Sequence, residues 1–133
     1  MTRFVVDAGA VIHLASKRIE VRPEHKLLAP TLLRSQTLSA LHEAVQQGEL
    51  PAEVARDHLA RIGRMPIRLL GDGVLRRRAW DLANQLGWAS TYDAEYIALT
   101  QLQADALVTL DADLARSVEG IVATASIDAL SQL

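Results

Sequence analysis

Short apolar runs alternate with longer helical patterns along this chain, and no Asn-Gly-type hairpin turn joins one run to the next. Strands not joined by hairpins need crossover connections, and crossover helices cover both faces of a parallel sheet. The pattern therefore predicts an α/β fold, with a central short-stranded parallel sheet flanked by helices. At 133 residues the chain suits one such domain, 1–133. Half of its residues are hydrophobic but only 4% are aromatic, so the core must come mainly from Leu, Val, Ile and Ala.

Arg3 to Asp7 reads as a buried strand and Ala8 to Lys17 as a helix. Lys26 to Ala29 is a second strand. Pro30 is expected near the start of a long helix, where its missing N–H costs little. That helix carries Leu38, Leu41 and Val45 on one face and stops near Gly48. Pro51 starts another helix, with Ala55, Leu59 and Ile62 facing inward, and Pro66 to Leu70 is a short strand. Asp72 caps a helix that runs to Leu86 and ends at Gly87. Thr91 caps the next, which opens on Asp93 and reaches Gln103. Ala106 to Thr109 reads as a strand, Asp111 to Ser117 as a short helix and Gly120 to Ala123 as a last strand. Ser126 caps a terminal helix.

Composition removes several function classes. A net charge of −2 gives no global pull toward nucleic acid, so a polyanion must be met by a local patch or by metal ions. The absence of Cys excludes disulfides and thiolate metal sites, and fits a cytoplasmic protein. No apolar run reaches the length of a membrane span, and no signal peptide is visible. His13, His25, His42 and His58 lack the spacing of a zinc site. Arg76, Arg77 and Arg78 form the densest basic run and are candidates for an RNA-backbone contact. Three consecutive helical residues spread around the axis, so at most two can face one ligand. Trp80 and Trp88 read as core or interface anchors.

The acids carry the chemistry. Asp7 ends the run Phe4-Val5-Val6, and Asp111 follows Leu107-Val108-Thr109-Leu110. Ligands of parallel sheets bind outside the C-terminal ends of the strands, where the pattern puts both residues. Asp93 adds an acid at a helix start, and Asp113 lies beside Asp111. Hard cations such as Mg²⁺ and Mn²⁺ prefer oxygen ligands of this kind. Other strand-end Asp chemistries lack their partners. A haloacid-dehalogenase-like site needs a second Asp where Gly9 stands. A response-regulator receiver needs a late Lys, and the only lysines are Lys17 and Lys26. No Gly-Lys-Ser/Thr loop for nucleotides is present.

Four segments in order carry a family resemblance: Val5-Val6-Asp7-Ala8-Gly9-Ala10, Leu28 to Gln36, Thr91-Tyr92-Asp93-Ala94-Glu95-Tyr96 and Val108-Thr109-Leu110-Asp111-Ala112-Asp113. In them the chain resembles a PIN domain, and most closely a bacterial VapC-type toxin. The resemblance implies a Mg²⁺- or Mn²⁺-dependent endoribonuclease that cleaves cellular RNA and is held in check by a cognate VapB-like antitoxin. It also implies a homodimer. By position, Asp7, Asp93 and Asp111 would be catalytic residues and metal ligands, Asp113 would join through water, and Thr109 would hydrogen-bond a ligand carboxylate or a phosphate. Glu95 is read as a helix-start charge. The departure is Gln36, where members usually place Glu. An amide oxygen can coordinate a cation but brings no charge. Three readings stay open: activity from the three aspartates alone, replacement by Glu43 two turns on, or a PIN domain of weak or no activity that binds antitoxin or RNA.

Overall fold

The computed structural model describes residues 2–131. Five strands form one parallel sheet: β1 (Arg3–Val6), β2 (Lys26–Pro30), β3 (Ile67–Leu70), β4 (Ala106–Val108) and β5 (Thr124–Ala125). Their order is β3-β2-β1-β4-β5. The chain winds outward from β1 through β2 to β3, then returns to the other side of β1 for β4 and β5. Right-handed crossovers put helices formed on the outward and return legs on opposite faces of the sheet.

On the outward leg are α1 (Ala8–Lys17), α2 (Leu32–Gln46) and α3 (Ala52–Arg64), which pack against one another. On the return leg are α4 (Gly73–Leu86) and α5 (Tyr92–Gln103), followed by α6 (Ala112–Ser117) after β4. Helix α5 packs on α4, β1, β2 and β4. Its run Tyr96 to Thr100 is buried throughout, as expected for a helix enclosed on most sides. Val5, Val6, Leu107 and Val108 of the two central strands are inaccessible to solvent. Strands covered on both faces are apolar at consecutive positions, which is why these runs do not alternate.

Local chemistry sets the helix ends that matter for function. Asp7, Asp72 and Asp111 each accept a backbone N–H from the first turn of the helix they precede. Gly87 ends α4 with φ of 70°, a left-handed conformation that glycine adopts without strain. The short loop after it delivers α5 with Asp93 in the first turn. Asp72→Ala removes the cap of α4 and should cost about 1 kcal/mol, read as a lower urea midpoint with an unchanged slope.

The structure moves some expected boundaries. Pro30 is the last residue of β2 rather than part of the following helix, because β3 extends the sheet beside it and pairs Pro30 with Leu70. Thr31 then precedes α2. Residues 120–122 form turns, and the last strand is the two residues Thr124–Ala125 beside β4. The segment after Ser126 is a 3₁₀ turn, Ile127–Ser131. On α2 only Leu41 of the expected stripe is buried, and Leu38 is 57% exposed. Trp80 is 64% exposed and is not a core residue, whereas Trp88 packs against the core.

Candidate metal centre at the sheet switch point

Strands β2 and β4 leave β1 in opposite directions, so the crevice at the C-terminal ends of β1 and β4 is the topological switch point of the sheet. This is where open α/β sheets bind ligands. Asp7 follows β1 and Thr109 follows β4, one residue beyond the register pair Val6 and Val108. The starts of α1, α5 and α6 carry Asp7, Asp93 and Asp111 respectively. Helix N-termini favour negative charge, which offsets part of the cost of gathering acids here.

The hydrogen bonds tie β1 to β4 through one hydroxyl. Thr109 donates to the Asp7 carboxylate, and its Oγ1 accepts the Asp111 backbone N–H at 3.1 Å. Asp7 Oδ1 also accepts from the Ala10 N–H at 2.9 Å. Asp111 Oδ1 accepts from the N–H groups of Asp113 and Leu114 at 3.0 and 3.1 Å. Each capping carboxylate thus has one oxygen engaged by its own helix. Asp113 is exposed, and its side chain is bound by Arg116. Thr109→Val should remove the link without changing the shape of the side chain. The expected result, measured by titrating Mn²⁺, is a loss of affinity of about tenfold, the low end of what ligand-supporting residues contribute (about 10–100-fold).

Charge and burial act on two of these carboxyls, Asp7 and Asp93. Partial burial raises the Asp7 carboxyl above the ordinary carboxylate value; bonds from Thr109 and Ala10 pull it back, and Asp111 raises it further. Partial burial also raises Asp93, followed by repulsion from Asp111 and Asp7. Carboxylates raised by burial and by neighbouring negative charge favour either a proton or a cation.

Gln36 has a partner that its sequence position did not announce. The Tyr96 hydroxyl donates to Gln36 Oε1 at 2.6 Å. Burial pushes the Tyr96 hydroxyl well up, and the nearby charges of Asp7, Glu95 and Asp93 push in the same direction. Tyr96 thus joins α5 to α2 beside the acids. Its spacing of three residues from Asp93, one helix turn, was the available signal. Glu43 is exposed and accepts from Ser39 at 2.9 Å, so it does not stand in for an acid at position 36. Glu95 lies in the first turn of α5, as expected of a helix-start charge, and is half-buried. Burial raises its carboxyl, and Arg76 lowers it.

Two open grooves flank the start of α5. One, of about 450 Å³, is lined by Gln36, Trp88, Ser90, Tyr92 and Asp93 among others. The other, of about 470 Å³, is lined by Arg76, Arg77, Trp80, Thr91 and Glu95. Arg76 and Arg77 face this groove and Arg78 does not line it, in keeping with the limit set by helical geometry.

Solved structures share the architecture. The chain is similar to PAE2754 from Pyrobaculum aerophilum, at 24% identity and a TM-score of 0.72, covering 98% of this chain and 94% of that one. It is similar to VapBC-1 from nontypeable Haemophilus influenzae, at 14% identity and 0.64, covering 95% and 98%. It is also similar to the PilT N-terminus domain protein SSO1118 from Sulfolobus solfataricus P2, at 16% and 0.50, covering 97% and 90%. The fold is PIN-like. No protein-family model matches the sequence, and no curated protein matches it significantly. No helix among the described residues is long and apolar enough to cross a membrane.

The donor chemistry is of the kind a hard divalent cation takes: the carboxylates of Asp7, Asp93 and Asp111 at helix starts, with the Gln36 amide held by the Tyr96 hydroxyl. Among the described residues, no three acidic or histidine side chains already stand in a ligating arrangement.

Proposed function

We propose that this chain is a divalent-metal-dependent endoribonuclease and the toxin of a VapBC-like toxin–antitoxin pair. The observation that carries the reading is the convergence of Asp7, Asp93 and Asp111 from three helix starts on the switch point of a PIN-like sheet, close enough that Asp111 raises the other two carboxyls. These three residues would hold a Mg²⁺ or Mn²⁺ ion, with Asp113 reaching it through water once released from Arg116. Such an ion supplies a more acidic water and stabilises charge on phosphate oxygens.

The chain's own residues do the positioning. Thr109 fixes Asp7 and the start of α6 relative to each other. Tyr96 holds Gln36 beside the acids, where its amide can orient a water or a phosphate oxygen. Arg76 and Arg77 give an RNA backbone a cationic rim next to an acidic crevice. The similarity to VapBC-1 supports an antitoxin as partner. The exposed apolar side chains of Leu38 and Trp80 offer surface to that partner or to a second copy of the chain.

A binding-only PIN domain is the second reading. It is favoured by the neutral Gln36 and by the absence of a ready ligating group among the described residues. RNA cleavage in Mg²⁺, in Mn²⁺ and in chelator, on total cellular RNA, separates the two. The nuclease reading expects metal-dependent cleavage at discrete positions. Intact RNA under every condition, together with retained RNA or antitoxin binding, would establish the binding module instead.

A further inference from the structure

A cavity of about 870 Å³ lies away from the acidic crevice, at the opposite end of the central strands. Arg3, at the start of β1, lines it, while Asp7 follows the end of the same strand, four residues on and about 13 Å away. The cavity is also lined by Arg22, Lys26, Arg61, Arg64 and Arg68, and by a single acid, Glu20. Arg22 reaches Glu24 at 3.5 Å and Arg61 reaches Asp57 at 2.9 Å. Among the described residues, Arg3, Lys26, Arg64 and Arg68 form no ion pair. Asp105, next to the start of β1, accepts the backbone N–H of Arg3 at 2.8 Å.

The sheet register sets like charges side by side. Arg3 pairs directly with Lys26, and Leu28 pairs with Arg68. Lys26 and Leu28 are two apart on one strand, so they share a face. Arg3, Lys26 and Arg68 therefore project from the same side of three adjacent strands. Like charges set across neighbouring strands repel, and solvent screens the repulsion only in part. An anion held among them reverses the sign of the interaction.

We propose that this cavity binds a small oligophosphate of nucleotide size. Arg matches phosphate oxygens two at a time, and Lys adds a point charge. Four unpaired cations suit two or three linked phosphates rather than one. The remaining wall includes Ile19, Val21 and Met65, partly buried apolar side chains that offer a surface for an organic group such as a base. The volume lies within the range of small-ligand sites. The site is separate from the acidic crevice and does not depend on nuclease activity.

The test is calorimetric titration of the full chain, in chelator and low salt, with inorganic triphosphate, ATP and a single-stranded decaribonucleotide. Triphosphate and ATP should bind wild type. Lys26→Gln and Arg68→Gln should each weaken both at least tenfold, the loss expected for a charge-assisted hydrogen bond. Without ligand, the same variants should melt no lower than wild type, because each removes a repulsive charge. Asp7→Asn should bind both phosphates as wild type does. Unchanged affinity in the Lys26 and Arg68 variants overturns the proposal. So does binding of the RNA without binding of triphosphate, which would make the cavity part of an RNA track.

Discussion

Asp7→Asn should reduce metal-dependent RNA cleavage on the order of 10²-fold or more, the scale of a lost proton-transfer or metal-holding group. The same change should raise the stability of the metal-free protein at neutral pH. Asn retains a carbonyl oxygen for the Ala10 N–H, so the start of α1 keeps its cap. What disappears is a carboxylate that is partly buried and repelled by Asp111. Gains of about 0.5–2 kcal/mol are common when such strain is relieved at a functional site. The pH dependence gives the sign independently. Asp7 and Asp93 are raised in the folded chain relative to ordinary carboxylates. Their protonated forms therefore favour folding at low pH, and that contribution is lost as pH rises through the raised values. Urea melts in chelator should show wild type losing stability over this interval and Asp7→Asn losing less. Cleavage that survives Asp7→Asn would remove Asp7 from the catalytic set.

The fold was legible because its signals are long-range in sequence and redundant. Each apolar run, capping Asp and terminal Gly points to the same parallel sheet, and neither the shift at Pro30 nor a last strand that starts four residues late, at Thr124, changes the topology. The edges were harder. Pro30 resembles a helix-start proline until the pairing with β3 is known, and that pairing depends on residues forty positions away. Leu38 and Trp80 look like core residues by type, but whether a helix face is covered depends on the neighbours that pack against it.

The site divided along the same line. Asp7, Asp93 and Asp111 stand out as acids at element ends, a local pattern. Their coupling depends on β4 returning beside β1, which no local pattern states. The Tyr96–Gln36 bond spans sixty residues and was hidden for the same reason. Glu43 was a candidate by helical phase alone, and its bond to Ser39 on the exposed side of α2 removes it. Arg3, Lys26 and Arg68 are unremarkable in the sequence and become one cationic face only through strand register.

Gln36→Glu should lower the metal concentration needed for half-maximal cleavage about tenfold. Position 36 is fixed by the Tyr96 hydroxyl, which feels the charges of Asp7 and Asp93. A carboxylate there accepts the same hydrogen bond, now charge-assisted, so the side chain has no reason to leave. It adds one negative charge several ångströms from where the cation would sit. At the effective dielectric of a half-buried site, that charge is worth about 1–3 kcal/mol toward a divalent ion, or tenfold or more in affinity. Without metal the sign reverses: a fourth acid beside three coupled ones should destabilise the fold in chelator, with the loss recovered on adding Mn²⁺. Paired melts with and without Mn²⁺ read both effects in one protein. If the variant needs as much metal as wild type and melts alike in chelator, the charge at position 36 does not reach the centre. Gln36 would then serve chiefly to satisfy the buried Tyr96 hydroxyl and hold α2 against α5.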